Sequence, residues 1–132
     1  MGEQQNRSLV EQGYQCFKTG DMEGLLSLFS ADIEWALPAI DGIPFSGHRK
    51  GRDQVASFFT MVVEAQESLE FDPREYVCEG EQVVAIGHYR WKVRSTGKVF
   101  ESNFVHIFTI RENLVVRFRE FLDSAALAAA HS

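Results

Sequence analysis

The chain has 132 residues, 45% hydrophobic and 24% charged, a balance that suits one globular domain over 1–132 and is too apolar for a disordered segment. Its net charge of −6, with 13 Lys and Arg against 19 Asp and Glu, opposes the balance of nucleic-acid binders; His48, Arg49, Lys50 and Arg52 form only a short basic cluster in a loop. No apolar run approaches the roughly 18 residues of a membrane span, the start is polar rather than signal-like, and the isolated Cys16 and Cys78 read as free thiols of a reducing compartment, so a cytoplasmic protein without a membrane partner is expected.

In chain order, Leu9, Val10, Gly13, Tyr14 and Phe17 fall at helical spacing and predict a helix over Arg7–Lys18. Gly20 stops it, and Asp21 caps a short second helix over Met22–Phe29. Asp32 leads into a brief strand, Ile33–Leu37, followed by a loop from Pro38 to Gly51. A third helix, Asp53–Gln66, has a buried stripe of Val55, Phe58, Phe59 and Val62. The period then changes to two, predicting strands at Leu69–Glu79, Gln82–Arg94, Lys98–Ile110 and Asn113–Leu122. Tight turns join them at Gly80-Glu81, Ser95-Thr96-Gly97 and Arg111-Glu112-Asn113, and Pro73 bends the first strand. A last helical turn covers Ala125–Ala130. Helices first and strands later imply an α+β fold: a cone-shaped, strongly curved antiparallel sheet closed by three N-terminal helices. The 11 Phe, 3 Tyr and 2 Trp are enough to line a ligand cavity as well as fill a core.

Alternation sorts the strand residues into faces. Phe100, Ser102, Phe104, His106 and Phe108 share one side; Val116, Phe118, Glu120 and Leu122 share another; Val83, Ala85, Gly87, Tyr89, Trp91 and Val93 share a third. If Ile110 pairs with Leu114, His106 faces Phe118, Phe104 faces Glu120, and His106 and Glu120 are diagonal neighbours. A two-residue Thr96-Gly97 turn sets Gly87 opposite His106, leaving room for a ligand, and Tyr89 opposite Phe104.

A carboxylate on an aromatic wall is costly to ionise, which moves such an acid toward the range useful for proton transfer. Glu120 and His106 are therefore the candidate catalytic pair. Equally, Glu120 could bridge to an arginine at the sheet's open end and His106 could be a satisfied core histidine. Tyr14 could donate to a ligand oxygen or be a core tyrosine with its hydroxyl at the rim. Trp35 alternates with Glu34 on the short strand and is read as wall. Tyr14, Trp35, Phe58, Tyr89, Phe104 and Phe118 would shape a pocket for a small apolar molecule. No phosphate loop, nucleophile elbow or metal-ligand cluster is apparent, so no cofactor and no metal are expected.

The Gly20-Asp21 helix end, "LFSADIEW", "PFSGHRKGRDQVASFF", "NFVHIF" and "VVRFREFLDSAALAAA" resemble the nuclear transport factor 2-like superfamily over about Ser8–Ala130. Within it the chain is similar to SnoaL-like polyketide cyclases and ketosteroid isomerase-related proteins. The resemblance implies a cone with a deep apolar pocket and a homodimer through the outer sheet face. It also implies an acid in the last strand as general acid/base with a histidine on the preceding strand. Glu120 and His106 match these positions, with Glu in place of the usual Asp. The steroid isomerase pattern fits poorly, since Leu37 falls near its base. The implied function is cofactor-free proton transfer on an apolar carbonyl compound, as isomerisation or aldol cyclisation; the alternative is a non-catalytic binding or dimeric interaction module of the same fold.

Overall fold

The computed structural model describes residues 2–132. Helix α1 (Glu3–Thr19) begins earlier than its apolar stripe because its first, polar turn is anchored: Gly80 N donates to the Glu3 carboxylate (2.9 Å) and Asn6 Nδ2 donates to Gly80 O (3.3 Å). Gly20 ends it with φ 77°, and Asp21 N donates back to Cys16 O (2.8 Å). Helix α2 (Met22–Leu26) is capped by Asp21, which accepts from Gly24 N at 2.9 Å. It is shorter than its apolar run suggests. Phe29 belongs to β1 (Phe29–Ala36), where it pairs with Val115, so sheet pairing overrides helical spacing there. Asp32 lies within that strand.

The long loop also contains a strand, β2 (His48–Lys50), which pairs antiparallel with β1 through Glu34↔Lys50 and Ala36↔His48. Helix α3 (Arg52–Ala65) buries Val55, Phe58, Phe59 and Val62, the expected stripe. Strands β3 (Gln66–Glu79), β4 (Gln82–Val93), β5 (Val99–Arg111) and β6 (Leu114–Phe121) form an antiparallel meander, and α4 (Ser124–His131) follows behind an Asp123 cap. The six strands run β2-β1-β6-β5-β4-β3, with β1 parallel to β6, so the curved sheet is open and the fold is α+β. The helices cover its inner face.

Two registers differ from the expected ones, and both differences are even. The β4–β5 turn spans four residues, 94–97, closed by Val93 N to Lys98 O (2.8 Å). Ala85 therefore faces His106, and Gly87 faces Phe104. The β5–β6 turn is only Glu112-Asn113, both at positive φ (51° and 62°). Beyond it the pairing jumps from Ile110↔Val115 to Thr109↔Arg117, so Val116 is bulged out. The shorter turn and the bulge add. Phe108 meets Phe118, and His106 sits directly opposite Glu120 rather than Phe118. Val115, not Val116, is the buried valine.

Gly87 does not open space beside the histidine. A Cβ there would strike the Asp72 carbonyl, the Pro73 backbone and the Phe104 ring, because β3 folds in closely where its pairing shifts between Pro73 and Glu75. Gly87→Ala should therefore lower stability by about 2 kcal/mol through overpacking against backbone. Urea unfolding followed by circular dichroism checks this; a midpoint equal to wild type would mean the strands separate freely.

Candidate functional site

The inner sheet face, α1, α3, α4 and the β1–β2 loop enclose an apolar cavity of about 100 Å³. Among its lining residues are Tyr14, Trp35, Phe58, Tyr89, His106, Phe118 and Glu120, and also Phe45, Gln66 and Leu127. It is smaller than the ~150 Å³ apolar cavity that holds benzene in a model protein. Phe104, expected on the wall, is not there. It is fully buried, sandwiched by Phe71 (centroids 5.3 Å, planes 6° apart) and His106 (4.2 Å, 25°), in the space that Gly87 leaves. Its contribution is to hold the imidazole plane. On the opposite wall Trp35 stacks on Phe118 at 3.9 Å and packs against Phe58 at 5.5 Å.

Four polar side chains from α1, β4, β5 and β6 meet at this cavity. Tyr14 Oη lies 2.7 Å from His106 Nδ1. His106 Nε2 lies 3.1 Å from Glu120 Oε2, and Tyr89 Oη donates to the same oxygen at 2.7 Å. The side chains of His106 and Glu120 are only 7% and 11% exposed. The arginines of β6 take no part, as Arg117 and Arg119 point to the other sheet face. Tyr89 was legible as an inward residue, but its bond to Glu120 was not, because it depends on the register.

The hydrogen-bond directions follow from chemistry. Tyr14 Oη and His106 Nδ1 share a hydrogen bond whose direction depends on the imidazole tautomer. A carboxylate only accepts, so with Nε2 set 3.1 Å from Glu120 the neutral ring carries its proton on Nε2, and the Tyr14 O–H donates to Nδ1. At 3.1 Å the Nε2–Oε2 approach is within ion-pair distance, yet it is too far off-axis for a hydrogen bond, so Nε2 is a buried donor with no well-aligned partner. Burial pushes the Tyr14 phenol far above its ordinary value near 10, helped by the charges of Tyr76 and Glu120. Burial does the same for Tyr89, helped by the Glu120 charge and by the bond to it. Both phenols therefore stay protonated donors.

The sign of the resulting pH dependence is set by those raised values. Unfolded tyrosines ionise near pH 10, folded Tyr14 and Tyr89 do not, so this stability is complete below about pH 10 and falls as pH rises above it. Absorbance titration of the three tyrosines should show two released only as the fold melts in alkali. Smooth ionisation of all three near pH 10 with the circular dichroism unchanged would contradict it.

The SnoaL-like domain family model matches residues 10–118. No curated protein matches the chain. Among solved structures, a nuclear transport factor 2-like protein from Burkholderia xenovorans is 32% identical, with TM-score 0.91 over 100% of this chain and 99% of that one. A provisionally assigned isomerase from Bacillus subtilis (16% identity, TM-score 0.83, 100% and 98% covered) shares the fold. So does a provisionally assigned SnoaL-like polyketide cyclase from Mesorhizobium loti (16%, 0.72, 87% and 97%). An α+β sheet of this order, matched along this length, places the chain in the SnoaL-like family of the nuclear transport factor 2-like fold.

Proposed function

We propose that the protein is a cofactor-free enzyme of the cytoplasm that binds a small apolar carbonyl compound in the cavity and moves a proton at the carbon beside the carbonyl, in isomerisation or aldol-type cyclisation. The observation that carries this reading is a His106 imidazole whose Nε2 lies unaligned 3.1 Å from the Glu120 carboxylate, both side chains lining an apolar cavity. In this mechanism the ligand's carbonyl oxygen accepts from His106 Nε2. Glu120 removes the α-proton, and the enolate's developing charge is met by the imidazole. Glu120 then returns the proton at a second carbon, or the enolate carbon attacks another carbonyl, whose oxygen becomes the alkoxide and takes that proton back from Glu120. Tyr14 keeps the proton of His106 on Nε2, and Tyr89 fixes the carboxylate. Trp35, Phe58 and Phe118 shape the pocket. The isomerase and cyclase descriptions of two fold neighbours are in keeping with this class of chemistry.

A binding module without chemistry is favoured by two features: the cavity is small, and all four polar groups are already hydrogen-bonded in two pairs, Tyr14–His106 and Tyr89–Glu120. The two readings separate on Glu120→Gln. With cyclohexanone in deuterated buffer, proton NMR should show wild type accelerating exchange at the carbon beside the carbonyl. The variant should lose at least about 100-fold of that rate with an unchanged circular dichroism spectrum. Exchange that persists in the variant would remove Glu120 as the base, and wild type no faster than buffer would favour the module.

The same reading includes a homodimer through the outer sheet face. Val77, Val99 and Phe121, exposed by 57%, 48% and 49%, lie there beside half-buried Val84, Ile86, Val105 and Ile107. Sedimentation should give a dimer for wild type at micromolar concentration and a monomer for Phe121→Lys; a monomeric wild type would refute the pairing.

A further inference from the structure

The cavity has a larger neighbour. Between the end of α1 and the start of β3 lies an outer cleft of about 540 Å³, and four side chains, Phe17, Gln66, Phe71 and Trp91, are walls of both spaces. The partition is thus built of single side chains. Val63 and Leu69, large apolar residues exposed by 51% and 42%, line the cleft. Its charged residues balance, Lys18 and Arg94 against Glu67 and Glu70, so apolar surface is what it offers a ligand.

The four walls are not held alike. Trp91 is buried on β4, a strand paired on both sides. Gln66 is buried and tied to α4, with its Oε1 2.9 Å from His131 Nε2. Phe17 and Phe71 are only half-buried, and they meet at a seam with ring centroids 5.2 Å apart and planes tilted by 57°. Phe17 stands on the last turn of α1, just before Gly20 ends the helix. Phe71 lies on β3, an edge strand, and the β3–β4 ladder skips Leu69 and Arg74 on either side of it. A bulged edge segment re-aims a side chain at small cost, because no ladder on its far side has to break. The seam is also close to the polar cluster: the Phe71 centroid is 5.4 Å from that of Tyr14 and 6.5 Å from that of His106.

We propose that this seam is a passage and that the cleft is the second half of the ligand site. The carbonyl head lies at His106 and Glu120, the Phe17 and Phe71 rings part, and an apolar tail runs between them into the cleft, against Val63 and Leu69. The cavity, smaller than one that holds benzene, receives the head alone. The ligand class is then a neutral ketone with an extended apolar tail, favoured over a compact one. The inference rests on reading the cavity as a carbonyl site, and it adds the substrate class.

The test titrates 2-butanone and 2-nonanone into protein with carbon-13-labelled methyl groups, read by carbon–proton NMR. Both ketones should move the methyl signals of Leu37 and Val115, which line the cavity. Only 2-nonanone should move those of Val63 and Leu69, and it should bind at least about tenfold more tightly, the worth of about two buried CH₂ groups. Leu69→Asp, a change at an exposed position, should remove most of that advantage, while 2-butanone, too short to reach the cleft, binds as it does to wild type. Val63→Asp should do the same from α3. If 2-nonanone moves the cavity signals but not those of Val63 and Leu69, or its advantage survives both substitutions, the passage is refuted and the carbonyl site stands. The passage is equally refuted if 2-nonanone moves the cleft signals alone while 2-butanone moves those of the cavity. If neither ketone moves the cavity signals, the carbonyl site fails and the passage with it.

Discussion

A carboxylate drawn out of water into an aromatic interior is the constraint around which this inner face is arranged. Glu120 projects from β6 toward Phe118, Tyr89 and His106, and a charge in such surroundings is tolerable only where donors replace the water it has lost. The groups that meet it come from elsewhere in the chain. Tyr89 arrives from β4 and donates to it, the His106 imidazole from β5 stands 3.1 Å away without an aligned hydrogen bond, and Tyr14 reaches from α1 to set that imidazole. One acidic oxygen therefore ties together three strands and, through the histidine, the first helix. The aromatic stacks do the remaining alignment, since Phe104 leaves the imidazole only one comfortable plane.

Bringing the acid opposite the imidazole requires a defect in the sheet. In a regular hairpin with the observed two-residue turn, Glu120 and His106 would point to opposite sides of one pleat, because successive side chains alternate. The bulge at Val116 adds one residue to β6 and returns Glu120 to the inner face, directly across from His106. Such a bulge also bends its strand. On the other side of the sheet, the shifts between Ser68 and Glu70 and between Pro73 and Glu75 curl β3 inward, and Gly87 lets that curl close onto Phe104. The curvature that makes a cavity and the register that furnishes it have the same local causes.

This explains which features the amino-acid pattern disclosed. Period-two alternation carries a residue's face, so Tyr89, Phe104, His106, Phe118 and Glu120 were all assignable to the interior. It does not carry the partner, because a slip of two leaves every face unchanged. Both registers slipped by two, one through a longer turn and one through a shorter turn plus a bulge. The Tyr89–Glu120 bond and the true tenant of the space at Gly87 were lost for that reason. Strand β2 was hidden because three residues in a loop have no period to show, and Phe29 because its pairing with Val115 is a contact far along the chain. Gln66 and His131 lay at the ends of predicted helices, where an isolated amide and an isolated imidazole carry no local signature. Only their meeting marks them.

The proportions of the cavity decide what kind of selectivity it can exert. Its walls are mostly aromatic, and apolar contact scales with area rather than direction, so the rings set how large a molecule fits but not which way it lies. At about 100 Å³ the cavity is smaller than one that holds benzene, so size alone admits only small molecules, and polar groups decide how they lie. On the proposed reading, His106 Nε2 selects an oxygen, and the carbon that Glu120 can reach then depends on the tilt of the molecule about that single contact. One hydrogen bond leaves that tilt to the aromatic walls. The choice of carbon thereby becomes a property of the whole wall rather than of the acid alone. A lengthened Glu in place of a shorter Asp is workable in such a site, because Tyr89 holds the carboxylate from the side.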